Sequence, residues 1–313
     1  MRQAVTGKLL LMVSLSICAA GMQSHASTDI AWGVAMQHDY RLTPDITYLR
    51  ASGVDLKLDV IARPNDDNPA PVLLYIHGGG WVAGSKDRMF LHFLPYLQLG
   101  MAVVNVGYRL GPTALAPAAV EDARCALRWV LNNAREYNLD TSRIVVSGHS
   151  AGGHLSLTTG MLPASAGLDR RCPARKEGAG RADTAPVEMS VAAIVNWFGI
   201  TDVGDLVEGT NAKTYAVAWK GHQSNWAAIA ERVSPLTWVR RGLPPVLTIH
   251  GDADSIVPYS HAERLHAALD AAEVDNQLYT ISGGGHGGFS QDENTAAMNT
   301  IQTFLVAHGV LNN

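Results

Sequence analysis

The run Gly148-His-Ser-Ala-Gly152 places a serine between two glycines, an arrangement suited to nucleophilic chemistry. A short β-branched run, Ile144–Val146, precedes it, and a segment rich in Leu, Ser and Thr follows. Strand, tight turn and helix form the context in which G-x-S-x-G presents its serine on a strained turn. A side chain at either glycine would collide with a neighbouring strand or helix. The motif therefore predicts a nucleophile at Ser150.

The motif needs partners, because at the average protein frequencies of glycine and serine, each about 7%, it arises by chance in about one chain in ten of this length. A serine hydroxyl is a weak nucleophile at neutral pH, so an imidazole must take its proton. A carboxylate must then orient the imidazole and stabilise its charged form. In an open α/β sheet such residues collect in loops beyond the carboxyl ends of the strands.

Two later loops offer both partners. His250-Gly-Asp-Ala-Asp254 follows one apolar β-type run, and Gly283-Gly-Gly-His-Gly287 follows the next. His286 is predicted to be the base, because its flanking glycines let the loop turn toward the serine. Asp254 is preferred as the acid, with Asp252 as the alternative, since Asp252 lies nearer the strand end and is better placed to shape the loop.

A glycine run can supply the oxyanion site. His77-Gly-Gly-Gly-Trp81 directly follows an apolar strand-like run, and glycines let the main chain approach a substrate carbonyl closely. Together with the backbone N–H of Ala151, these N–H groups would form a three-donor site. The nearby histidines, His77, His149 and His154, are interpreted as scaffold hydrogen-bonding residues rather than second bases.

No metal site is expected in this chain. His261 and His266 are five residues apart on one predicted helix, a spacing that does not place both side chains on one face. No cofactor is expected either.

The composition limits the classes of protein to which this chain can belong. The chain has 313 residues, 47% of them hydrophobic and 17% charged, with a net charge of −4. This is enough for one large globular domain. The mild acidity and the absence of basic blocks argue against a nucleic-acid partner.

The N-terminus predicts export. Arg2 and Lys8 precede a short apolar run, and small residues near Ala26 suit a cleavage point, so residues 1–26 are interpreted as a signal peptide. A disordered or membrane-anchoring terminus is the alternative, but the apolar run is too short to span a membrane. Residues 27–313 then form a single domain, periplasmic or secreted, without stable membrane insertion.

Export changes how the cysteines are interpreted. Beyond the signal segment the sequence has only Cys125, on a predicted helix, and Cys172, in an irregular insertion over residues 163–187. In an oxidising compartment an even pair favours a disulfide over two unrelated thiols.

Strand-like and helix-like segments alternate along the chain, which predicts an α/β fold. The expected sheet is mostly parallel, carries helices on both faces and begins with an antiparallel hairpin over residues 46–63. Helices are expected over residues 89–99 and from about Pro117 to Tyr137. Residues 201–240 are interpreted as an excursion beyond the strand ends.

The motifs together resemble the α/β-hydrolase superfamily. They are His77-Gly-Gly-Gly-Trp81, Gly148-His-Ser-Ala-Gly-Gly-His154, His250-Gly-Asp-Ala-Asp254 and Gly285-His-Gly287. Within the superfamily the chain is similar, over residues 45–310, to HGGG-type esterases of the hormone-sensitive-lipase and acetyl-xylan/feruloyl-esterase-like groups.

The resemblance implies a role for each matched residue. It implies Ser150 as nucleophile, Asp254 as acid and His286 as base. It also implies Gly79, Gly80 and Ala151 as oxyanion donors. The expected protein is an exported serine carboxylic-ester hydrolase that works through an acyl-enzyme.

The sequence departs from the family at the elbow and before the first strand. Hormone-sensitive-lipase relatives usually carry G-D-S-A-G and a helical N-terminal cap, whereas this chain has G-H-S-A-G-G and about 20 residues between the signal segment and the first predicted strand. An open site for short-chain or carbohydrate-borne acyl esters is therefore expected.

Three other functions share features with this sequence. An arylformamidase-like amidase shares the H-G-G-x-W signature, but it acts inside cells. A prolyl-oligopeptidase-like peptidase shares G-x-S-x-G-G, but it carries a large propeller for which this chain has no room. A non-catalytic binding relative would be expected to lack triad members, and none is missing from this sequence.

Overall fold

The computed structural model describes residues 30–64, 66, 68–174 and 188–312. The predicted signal peptide and part of the predicted insertion lie outside these residues. The chain divides into two units, Met1–Tyr40 and Arg41–Asn313. In the first unit the described residues form one helix, α1 (30–39). The strands and the remaining helices belong to the second.

An eight-stranded sheet organises the second unit, with the strand order β1-β2-β4-β3-β5-β6-β7-β8. The strands are β1 (Arg41–Ala51), β2 (Val54–Ala62), β3 (Ala70–Ile76), β4 (Ala102–Val106), β5 (Leu139–His149), β6 (Ala193–Trp197), β7 (Val246–Gly251) and β8 (Asn276–Ile281). β2 pairs antiparallel with both β1 and β4, and all other neighbours are parallel. The predicted fold is confirmed, and its edge hairpin begins earlier than expected, at Arg41.

Helices of the second unit connect the strands. They are α2 (Leu94–Gln98), α3 (Ala118–Asn133), α4 (Ala151–Met161), α5 (Thr214–Lys220), α6 (Trp226–Val233), α7 (Ser260–Ala271) and α8 (Gln291–Ala307). The helix predicted over residues 89–99 is instead a 3₁₀ helix, Lys86–Phe93, followed by α2. Pro95 accounts for the difference, because it has no N–H for a continuous α-helix and is tolerated only in the first turn.

Burial follows the position of each strand in the sheet. Every residue of β4, β6 and β7 is buried, as expected for parallel strands covered on both faces. β1 is mostly exposed over its first half, which fits its place at the sheet edge. The covered central strands therefore form a rigid platform, and their carboxyl ends carry the predicted site residues.

A disulfide joins Cys125 on α3 to Cys172, as the cysteine pattern favoured. Its partners are 47 residues apart in sequence, and in the chain-entropy model a loop of that size stabilises the fold by about 4 kcal/mol. Asp169 adds ion pairs to Arg128 at 3.3 Å and to Arg124 at 3.6 Å. The described start of the predicted insertion is thus fastened to α3. Among the described residues, no helix combines the length and apolar character needed to cross a membrane.

Candidate active site

Ser150 lies in the sharp turn between β5 and α4. Its backbone adopts φ 58° and ψ −120°, a conformation that costs a non-glycine residue about 1–3 kcal/mol and is typical of functional sites. A Cβ at Gly148 would lie 2.2 Å from the carbonyl oxygen of Ile76, and one at Gly152 would lie 2.1 Å from the same atom. The predicted steric need for both glycines is confirmed.

A hydrogen-bonded chain links the predicted nucleophile, base and acid. His286 Nε2 lies 2.8 Å from Ser150 Oγ, and His286 Nδ1 lies 2.7 Å from Asp254 Oδ2. The other carboxylate oxygen of Asp254 accepts hydrogen bonds from the backbone N–H groups of Ile256 and Val257. The structure therefore brings together all three residues in the order that proton transfer requires.

The environment of Asp254 favours its ionised form. Burial raises the pKa of this carboxyl, but hydrogen bonds from His250 and His286 outweigh burial and hold the pKa well below its usual range. His250 Nε2 lies 3.2 Å from Oδ2. A carboxylate that stays charged at neutral pH can keep Nδ1 of His286 protonated and stabilise the imidazolium formed during reaction.

Asp252 occupies a different position. Its Oδ1 accepts a hydrogen bond of 2.6 Å from the backbone N–H of Gly283, at the start of the loop that carries His286. This contact fastens the acid loop to the base loop, as expected of the loop-shaping residue of the two aspartates. The geometry thus favours Asp254 as the triad acid.

The glycine loop after β3 is held between α4 and α5. Trp81 donates from Nε1 to Nδ1 of His154 on α4 at 3.0 Å, and its ring stacks on Trp219 of α5 at a centroid distance of 4.2 Å. On the other side of the loop, a Cβ at Gly80 would lie 2.8–2.9 Å from the ring of Tyr215, also on α5. These contacts fix the loop beside the nucleophile.

The predicted oxyanion residues take positions consistent with that role. Gly79 and Gly80 have φ values of 121° and 59°, respectively, and both line the cavity that contains Ser150. Ala151 is buried and is the first residue of α4, so its backbone N–H lies at a helix N-terminus. Their action as donors to an oxyanion stays a prediction.

A cavity of about 600 Å³ opens beside Ser150 and His286. Its lining is mainly apolar and glycine-rich, with the polar side chains of Arg88 and Asn294 at its wall, and its aromatic rings are those of His92, His149, Trp197, Phe198, Tyr215, His286 and Phe289. Trp81 and Trp219 are fully buried and lie in the core. The volume and apolar walls suit a small ester.

The three histidines predicted to serve the scaffold divide into two groups. His77 stacks on Tyr108 at 4.3 Å, and His154 bonds to Trp81 and to the carbonyl of Val233. Burial lowers the pKa of both imidazoles to about 4, so they are neutral in the fold. His149 also has a scaffold partner, but it lines the cavity.

Other residues of the site carry no sequence motif. Tyr215 reaches the cavity from the predicted excursion over residues 201–240, and Phe198 reaches it from the position directly after β6. Only the sheet topology could indicate their proximity to Ser150. His261 and His266 do not share a ligand site, and the described residues contain no cluster of three or more His, Cys, Asp or Glu arranged to hold a metal.

Comparison with known proteins finds a matching family and similar esterases. The family model BD-FAE matches residues 58–269. Esterase LipQ of Mycobacterium tuberculosis is 28% identical over 86% of this chain and 61% of its own length. The chain spans about half to three fifths of the length of this and the next curated relatives that it matches.

Solved structures match over nearly their full length. Thermogutta terrifontis esterase 2, phosphoramylated by tabun, is 26% identical with a TM-score of 0.69, over 88% of this chain and 97% of its own. The propionate-bound form is 27% identical with a TM-score of 0.68, over 86% and 95%.

Proposed function

Since this chain belongs to the BD-FAE family and has the α/β-hydrolase fold, we propose that it is a serine carboxylic-ester hydrolase that works through an acyl-enzyme. The observation that carries the proposal is the unbroken chain from Ser150 through His286 to Asp254, at 2.8 and 2.7 Å. LipQ and the Thermogutta protein are both named as esterases, which supports the same reaction class.

The first half of the reaction forms the acyl-enzyme. Ser150 Oγ attacks the ester carbonyl carbon while Nε2 of His286 takes the hydroxyl proton, and Asp254 stabilises the imidazolium. The carbonyl oxygen becomes an oxyanion held by the N–H groups of Gly79, Gly80 and Ala151. The carbon–oxygen bond to the alcohol then breaks, and His286 Nε2–H protonates the leaving alkoxide.

The second half repeats these steps with water. His286 removes a proton from a water molecule that attacks the acyl carbon, and the serine oxygen leaves with the proton that His286 returns. The products are a carboxylic acid and a regenerated hydroxyl. No cofactor or metal ion takes part in these steps.

Short-chain or carbohydrate-borne acyl esters are the proposed substrates. The cavity of about 600 Å³ suits a small acyl group, and the Thermogutta relative has been solved with propionate bound. A panel of acetyl, longer-chain acyl, feruloyl and peptide substrates tests this preference. Higher kcat/KM on long-chain esters or on peptides would contradict it.

Replacement of the nucleophile tests the reaction itself. Ser150→Ala should abolish hydrolysis of p-nitrophenyl acetate while circular dichroism and the melting temperature show an intact fold. Paraoxon should add one phosphoryl group to the wild type, and peptide mass spectrometry should locate it on Ser150. Turnover in the Ser150→Ala variant, or labelling at another residue, would exclude the mechanism.

Export to the periplasm or the medium is the proposed location. The signal-like segment over residues 1–26 supports it, and so does the Cys125–Cys172 disulfide, since disulfides persist in oxidising compartments. Expression with the native N-terminus, followed by fractionation and N-terminal sequencing, tests it. Mature protein in the exported fraction should begin near Ser27, whereas cytosolic protein that retains Met1 or Arg2 would contradict export.

A further inference from the structure

His149 lies at the end of β5, directly before Ser150, and has no part in the proposed proton relay. It is partly exposed and lines the same cavity as the nucleophile. Its Nδ1 is 2.8 Å from the hydroxyl of Tyr75, a fully buried residue of β3. One edge of the imidazole is therefore engaged with the sheet, which leaves the Nε2 edge for the cavity.

The Tyr75 contact determines which nitrogen carries the proton. Among the described residues, His149 is the one hydrogen-bond partner of the Tyr75 hydroxyl. If Nδ1 were protonated, the buried hydroxyl proton would have no acceptor there, at a cost of about 1–3 kcal/mol. The hydroxyl is therefore assigned as the donor and Nδ1 as the acceptor. A neutral imidazole then carries its proton on Nε2.

The imidazole is neutral at working pH. Burial lowers the pKa of His149 to about 3, and the nearby imidazoles of His92 and His286 act in the same direction. His149 consequently presents an uncharged N–H donor, and it does not compete with His286 as a base.

Aromatic neighbours hold the ring in one orientation. The imidazole stacks on Trp197 at a centroid distance of 5.0 Å and an interplanar angle of 20°. His92 meets it edge to face at 5.0 Å, and Phe198 does so at 5.5 Å. A donor fixed in this way within a mainly apolar cavity discriminates by hydrogen bonding rather than by size, because a substrate without an acceptor leaves it unpaired.

We propose that His149 is a specificity-determining residue whose Nε2–H donates to an acceptor oxygen of the substrate, so that the site favours esters with an ether or hydroxyl oxygen near the ester group over plain alkyl esters. This inference rests on the proposed esterase function. Polyol and sugar esters, and alkoxy- or hydroxyacyl esters, meet this requirement.

Isosteric substrate pairs test the preference. p-Nitrophenyl methoxyacetate and p-nitrophenyl butyrate differ by one oxygen in the acyl part, and methoxyethyl acetate and butyl acetate differ by one oxygen in the alcohol part. Each kcat/KM ratio is divided by the corresponding ratio for hydroxide-catalysed hydrolysis, which removes the inductive effect. The wild type should prefer the ether member of at least one pair about fivefold to tenfold, the value of one neutral hydrogen bond.

Variants separate hydrogen bonding from general packing. His149→Leu should lose the preference, and His149→Gln, which keeps an N–H donor, should retain part of it. Tyr75→Phe should also weaken the preference, because it removes the hydroxyl that donates to Nδ1 of His149 and so no longer fixes the proton on Nε2. His308→Leu removes an imidazole on the C-terminal side of α8, outside the cavity lining, and should keep the wild-type ratio.

The tautomer provides a readout that does not depend on any variant folding. ¹⁵N NMR of the wild type should show His149 with Nε2 protonated and Nδ1 unprotonated at neutral pH. The opposite tautomer would overturn the assignment. A wild type that hydrolyses both members of each pair equally would overturn this inference alone, whereas one that hydrolyses neither would overturn the proposed function and the inference with it.

Discussion

The part of the protein that the structure describes contains two hydrogen-bonded chains of hydroxyl, imidazole and carboxylate side chains, and one of them is unsuited to nucleophilic catalysis. The first is Ser150, His286 and Asp254. The second is Thr201, His261 and Asp205, in which Thr201 Oγ1 lies 3.3 Å from Nδ1 of His261 and Asp205 Oδ2 lies 3.1 Å from Nε2. Both sets contain the residue types of a triad at hydrogen-bond distances.

The hydrogen bonds made by the hydroxyl and the imidazole distinguish the two chains. The Thr201 hydroxyl donates to the backbone carbonyl of His261 at 2.9 Å, and Nδ1 of His261 accepts the backbone N–H of Thr201 at 3.1 Å. Thr201 and His261 are also fully buried. In the first chain, Ser150 and His286 face a cavity. A catalytic triad therefore requires a hydroxyl whose proton is available to the base and space for a substrate carbonyl.

Apart from the nucleophile itself, the largest expected difference between the two chains lies in their acids. Asp254→Asn should lower kcat/KM for p-nitrophenyl acetate by about 10⁴-fold, because the amide fixes the wrong tautomer of His286. Asp205→Asn should lower stability and leave kcat largely unchanged. Asp252→Asn should cost far less rate than Asp254→Asn. A larger loss of rate in Asp252→Asn than in Asp254→Asn would transfer the acid role to Asp252.

Substitution in the glycine loop after β3, which carries two of the proposed oxyanion donors, should give the next largest effect. Gly80→Ala should lower kcat by about 10²–10³, the cost of losing one oxyanion donor, because the new Cβ would meet the Tyr215 ring and displace the loop. Gly242→Ala is the matched control, since Gly242 has φ 79° with open space around it. Equal loss of kcat in both variants would indicate a general effect of backbone strain.

Acid should destabilise the fold through buried histidines such as His261. Burial lowers its pKa from 6.5 to about 4. Between those values the unfolded chain binds a proton that the folded chain does not, so the stability present above pH 6.5 is lost as the pH falls toward 4. His261 alone accounts for at most about 3 kcal/mol.

The variant His261→Asn should therefore flatten the dependence of the unfolding free energy on pH between 6.5 and 4, measured by urea titration at each pH. An unchanged slope would show that His261 is charged in the fold. The depressed pKa of Asp254 acts in a separate window, since its effect is lost only as the pH falls below the ordinary value of 3.8.

The smallest expected effect belongs to Thr201. Thr201→Val should lower the free energy of unfolding by about 1 kcal/mol, the net value of a hydrogen bond, without altering kcat. Ser150→Val is the matched change in the first chain, and it should abolish turnover. A fall in kcat for Thr201→Val would link the second chain to catalysis.

Sequence patterns predicted the fold and placed Ser150, Asp254 and His286 correctly at strand ends, because β-type runs, glycine turns and the order of strands are local signals. The second chain was not predicted. Thr201, Asp205 and His261 belong to a loop and a helix far apart in sequence, without a motif that links them. The assignment of His149 to the scaffold was incomplete for a related reason. Its contact with Tyr75 depends on how β3 and β5 pair, whereas its place in the cavity depends on loops.

The disulfide also determines how this protein would respond to proteolysis. A single cut in the peptide chain between Met161 and Cys172 would leave Ser150 on one fragment and both Asp254 and His286 on the other. Because Cys125 lies on the first fragment and Cys172 on the second, the bridge would keep the two fragments in one covalent molecule. Under non-reducing conditions such a nicked protein would migrate as a single species, with its nucleophile and its base still tethered to each other.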